Sequence, residues 1–120
     1  MIMRTMECTT EISIGLRRTP KEALIAALSR LATSIDIPEK VSQILIKPSI
    51  YDPVLVGNTD PELVRAIART FGNLGKVSII ESDNPLRTTN EAFEKMGYTE
   101  LATDNVELVN LSEISRQEVK

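Results

Sequence analysis

Residues 41–82 read VSQILIKPS, IYDPVLVGNTD, PELVRAIARTFGNLG and KVSIIES, and this stretch decides the fold. Val41, Ile44, Leu45 and Ile46 form a short, nearly continuous apolar run, which suits a strand covered on both faces. Pro48 ends it, because proline has no N–H to give to a ladder. The loop from Ser49 to Asn58 is longer than the usual strand-to-helix connection. Thr59-Asp60-Pro61-Glu62 then opens a helix: two side chains can accept first-turn N–H groups, and Thr59 to Glu62 has capping-box spacing. Leu63, Ile67, Phe71 and Leu74 follow at helical spacing, and Gly72 and Gly75 offer a left-handed stop. Val77, Ile79 and Ile80 make the next strand, which runs out at Glu81-Ser82-Asp83-Asn84-Pro85. Strand, crossover helix and strand imply parallel pairing with a right-handed crossover.

Upstream, Glu11 to Leu16 alternates, with Ile12, Ile14 and Leu16 on one side, and reads as a first strand followed by Arg17-Arg18. Thr19-Pro20-Lys21-Glu22 starts a helix that Leu24, Leu28, Leu31 and Ile35 carry to about Ser34. Downstream, Thr88-Thr89-Asn90-Glu91 starts a third helix that Gly97 stops, with a further turn near Glu100 to Thr103. Val106 to Leu111 reads as a fourth strand. Residues 1–10 are expected to be a poorly ordered lead-in, and 112–120 a poorly ordered tail. The sum is one α/β domain over residues 1–120, with order β-α-β-α-β-α-β. It is a Rossmann-like three-layer sandwich on a mainly parallel four-stranded sheet.

The chain has 120 residues, enough for one domain with a real core. A net charge of −3 and few aromatics argue against nucleic acid as a partner, and no apolar run approaches membrane-spanning length. The single cysteine, Cys8, allows no internal disulfide, so a reducing, cytoplasmic setting is the default. With no histidine, this chain offers neither a Ser-His-Asp nor a Cys-His arrangement, and no zinc or iron–sulfur site of its own making.

In open parallel sheets, ligands sit outside the carboxyl ends of the strands. That rule gathers Arg17, Lys47, Ser49, Glu81, Ser82 and Asp83, with Thr59 and Asp60 at a helix start on the same side. Cations, hydroxyls and a helix N-terminus in one place point to a small anionic ligand. Thr59 and Asp60 also read as plain caps, which would spend the N–H groups an anion wants. The one legible enzymatic arrangement is a lysine–carboxylate pair, Lys47 with Glu81 or Asp83.

ILIKPS, TDPELVRAIARTFGNLG, KVSIIES, FEKMGYTELA and NVELVNLSE, in this order, resemble the N-terminal part of the family called domain of unknown function 362. Ile46, Lys47 and Pro48 match its pattern, as do Thr59 to Glu62, Glu81, Ser82, Gly97 and Tyr98. Ser49 stands where the family usually has asparagine. The resemblance covers roughly Val41 to Glu113. It implies a piece of a longer protein or a minimal member, and a redox or iron–sulfur neighbourhood whose cluster lies in a missing or partner segment. It also keeps a second class open: a non-catalytic scaffold that docks a partner, a second copy or a missing C-terminal half.

Overall fold

The computed structural model describes residues 11–31, 36 and 38–114, and the chain divides at residue 36 into two compact units. The calls on residues 1–10 and 115–120 lie outside the described residues.

The first unit holds helix α1, Pro20–Ser29, capped by Thr19, whose hydroxyl accepts the Glu22 N–H at 3.2 Å. The helix closes at Ser29, earlier than its apolar spacing predicts, and residues 32–35 fall outside the description. Residues 11–17 join no strand, which corrects the expectation of a strand over Glu11 to Leu16. The physical reason lies on the other side of the alternation. Ser13 donates its hydroxyl to the Ala27 carbonyl, and Gly15 lies so close to α1 that a Cβ there would sit 2.0 Å from the Ala23 carbonyl oxygen. The small residues face the helix, and Ile12, Ile14 and Leu16 are left exposed.

The second unit is a three-stranded parallel sheet in the order β1, Gln43–Ile46; β2, Lys76–Glu81; and β3, Val106–Asn110. Among the described residues the sheet has three strands, where four were expected. Helix α2, Pro61–Phe71, connects β1 to β2. Helix α3, Thr89–Lys95, and the 3₁₀ turn Tyr98–Leu101 connect β2 to β3. Ile44, Val77 and Val106 stand in register, as do Ile46, Ile79 and Leu108. These six side chains share one face, and the core forms between them and Val64 and Ala68 of α2, Ala92 and Phe93 of α3, and Tyr98. The rings of Phe93 and Tyr98 pack 5.9 Å apart.

Both crossovers therefore lie over one face, as two right-handed connections between consecutive neighbours must. The other face carries Gln43, Leu45, Ser78, Ile80, Glu107 and Val109 and is covered by neither α2 nor α3. Within this unit there are two layers instead of the expected three. Central β2 is almost wholly buried, whereas Leu45 on edge strand β1 is 59% exposed. A polar chain crosses this second face: Gln43 donates to the Ser78 hydroxyl at 2.8 Å, and that hydroxyl donates to Glu107 at 2.7 Å.

The helix termini follow from local chemistry. Asp60, and not Thr59, caps α2, accepting the Glu62 N–H at 2.8 Å. Thr88 and Glu91 form a reciprocal capping box at the start of α3. Gly97 takes the left-handed conformation, φ 78°, that stops the chain after α3. Neither Gly72 nor Gly75 does so, which corrects that expectation. Gly75 is instead a close approach, since a Cβ there would stand 2.3 Å from the Val41 carbonyl oxygen.

Candidate functional site

Glu81 is the last residue of central β2, so its side chain emerges at the carboxyl edge of the sheet with backbone on both sides. It is buried, and one carboxylate oxygen accepts two hydrogen bonds and pairs with a guanidinium. Lys47 Nζ lies at 3.0 Å, the Ser82 N–H at 3.1 Å and Arg87 Nη2 at 3.8 Å. Lys47 stands just past β1, where Pro48 has ended the ladder, and its ammonium also donates to the Pro48 carbonyl at 3.3 Å. The two partners differ sharply in setting: the Lys47 side chain is 55% exposed and that of Glu81 only 5%.

Arg87 is the member that sequence reasoning missed. It reaches the site through a tight turn in which Asn84 and Arg87 exchange backbone hydrogen bonds, and the Asn84 carboxamide accepts the N–H groups of Leu86 and Arg87. The turn sends the guanidinium inward, where it donates to the carbonyls of Ser82, at 2.6 Å, and Ile50. No motif announces this, because an arginine in a polar loop looks like any solvated charge. Two buried polar atoms in the cluster find no partner among the described residues, Glu81 Oε2 and Arg87 Nε.

The remaining predicted residues fall into three groups. Ser49 and Thr59 clamp the long loop shut: the Thr59 N–H donates to the Ser49 carbonyl, and the Ser49 N–H to the Thr59 hydroxyl, both at 2.9 Å. The Tyr98 hydroxyl donates to the Thr59 carbonyl at 2.7 Å. Burial, and then the negative charges of Asp60 and Glu81, push this phenol well above its ordinary value. Tyr98 thereby ties two segments that carry the family-like motifs, the TDPE helix start and the glycine–tyrosine pair.

Asp83 faces β3 and α3. It accepts the Thr89 N–H at 2.7 Å and the Asn110 amide at 3.4 Å, and its own N–H donates to the Ser112 hydroxyl at 2.9 Å. The Thr89 N–H, and next the nearby Thr89 hydroxyl, hold its carboxyl below the ordinary range, against the opposing effect of burial. Ser112 is thus part of a 3₁₀ turn, Leu111–Glu113. Arg17 lies in the first unit, where it donates to the Leu16 carbonyl at 2.7 Å.

Lys47, Glu81 and Ser82 are therefore in direct contact, Ser49, Thr59 and Asp60 form the adjoining loop base, and Asp83 is engaged on the β3 side. Chemically, the cluster offers an exposed ammonium and one net positive charge among Lys47, Arg87 and Glu81. A model of the family described as Domain of unknown function (DUF362) matches residues 44–120, the C-terminal part of this chain, from the first strand of the sheet onward. No curated protein and no solved structure matches the chain.

Proposed function

We propose, for a chain that belongs to the Domain of unknown function (DUF362) family, that the sheet-bearing unit binds a small anionic ligand at the carboxyl ends of its strands. Lys47 is the contact. The observation that carries this reading is its exposed ammonium, pinned at the strand end by a buried carboxylate that a buried arginine already half neutralises. Ser49, Thr59 and Asp60 shape the loop beside it, and Ser82 and Asp83 close the opposite side. A chemical step is not part of the proposal: Lys47 and Glu81 meet as an ion pair.

The Rossmann-like reading belongs to the same proposal, as does a cytoplasmic setting. So does the redox neighbourhood. An iron–sulfur cluster needs a set of thiolates, or thiolates and imidazoles. One cysteine and no histidine do not fit it, so the cluster belongs to another segment or a partner.

Lys47→Ala tests the ligand. A bound anion stabilises the folded chain by mass action, by about 2.7 kcal/mol at a hundredfold excess over Kd, and raises Tm accordingly. A panel of phosphate, sulfate and small carboxylates should contain an anion that stabilises the native chain and fails to stabilise Lys47→Ala. Equal shifts in both proteins would sink the site.

A second reading, a docking module, rests on a different observation. The loop after β1 presents Tyr51, Val54, Leu55 and Val56 to solvent. It does so from a fixed base: Asn58 accepts the Tyr51 N–H and donates to the carbonyls of Asp52 and Leu55. An ordered loop that spends four large apolar side chains on solvent suits a partner surface.

A further inference from the structure

A cavity of about 270 Å³ opens at the amino ends of the strands, between the C-terminal half of α2, the 3₁₀ turn and the start of β3. Its floor is apolar, built from Ala68, Leu101 and Val106. Ala68 and Leu101 are themselves core residues, so the floor is the rigid edge of the core. One wall carries Arg65 and Arg69. They stand four residues apart on α2, one turn above the other, and like charges at that spacing repel.

The chain does little to relieve that repulsion. Glu62 takes the Arg65 Nε at 3.2 Å, leaving the two terminal nitrogens without a hydrogen bond among the described residues. Arg69 makes no ion pair among the described residues, and Asp104, beside the cavity residues Thr103 and Asn105, does not reach either guanidinium. The far side is held in place by Asn105, whose amide donates to the Gly72 carbonyl at 3.0 Å across the end of α2.

We infer that this cavity is a second binding site, for a small molecule with a carboxylate or phosphate head on a compact apolar body. The head lies against the two guanidinium forks, which present paired N–H donors to such oxygens. The body lies on the Ala68–Leu101–Val106 floor. Small-molecule pockets run from about 300 to 1,000 Å³, so the occupant is small, of the size of a single ring or a short acyl chain. The site is independent of the strand-end proposal. It lies at the other end of the sheet, roughly 15–20 Å away at about 3.3 Å per strand residue.

The test is an amide-resolved NMR titration of the full chain with phenyl phosphate and with benzoate, using benzyl alcohol and inorganic phosphate as comparison probes. At least one of the two aryl anions should shift the amides of Ala68, Leu101 and Val106 saturably. Arg69→Gln, at an exposed position, should weaken that binding about tenfold or more, as loss of a charge-assisted hydrogen bond does, with Arg65→Gln as the second variant. Benzyl alcohol, which keeps the body and lacks the charge, should bind at least about tenfold more weakly. Inorganic phosphate, which lacks the body, should do likewise. Absence of saturable shifts, shifts confined to the Lys47–Glu81 end, or unaltered affinity in both arginine variants would each overturn the inference. Equal binding of benzyl alcohol would overturn its anionic half.

Discussion

The Arg87 side chain is 4% exposed and shares one guanidinium among two carbonyls and a carboxylate drawn from two segments, the loop after β1 and the end of β2. Removing one partner of a buried ionic cluster leaves the others desolvated and unpaired, which costs about 3–5 kcal/mol. Arg87→Ala should therefore lower the stability from urea denaturation by that order, and a loss under about 1 kcal/mol would show that the cluster is not a structural clasp. Asp83 makes a different, pH-dependent contribution. Its folded pKa is depressed below the ordinary 3.8, so its stabilisation is complete above the unfolded value and is lost as pH falls through the folded one. Native chain and Asp83→Asn should differ in urea midpoint near about pH 7 and converge toward about pH 2. A constant gap across that range would mean that the carboxylate's charge is not what holds Thr89.

Elements were legible where one local rule decided them. The starts of all three helices follow from a capping side chain, joined at α1 and α2 by a proline, and the three sheet strands follow from apolar runs that Pro48 and polar loops end. Residues 11–16 show where the rule runs out. Their alternation is real, but period alone does not say which side packs, and here Ser13 and Gly15 take the buried side. Gly72 and Gly75 show the same limit, since a glycine kept for close approach looks in sequence like one kept for positive φ. In the site, Lys47 and Glu81 were legible as strand-end residues. Arg87 and the reach of Tyr98 to Thr59 were not, because both depend on tertiary placement that no spacing encodes.

At the scale of the whole molecule, the exposed loop after β1 is what most distinguishes a docking module from a ligand binder. Replacing Val54, Leu55 and Val56 together by serine removes no core contact, so stability should stay within about 0.5 kcal/mol. If the loop is a surface between copies, sedimentation velocity over a concentration series should show the native chain associating and the triple variant remaining monomeric. A native chain that is monomeric throughout would rule out the second copy as occupant. The consecutive strand order has a further consequence. Ligand crevices in open α/β sheets form at a switch point, where successive connections leave for opposite faces and their loops part. Here both connections leave for the same face, so no loops part anywhere along β1, β2 and β3. The outer edge of β1 is the one place beside Lys47 where a reversal can be made. A strand laid there, with its connection across the face opposite α2 and α3, would split the loops at Lys47 and turn a flat cluster of charges into a cleft.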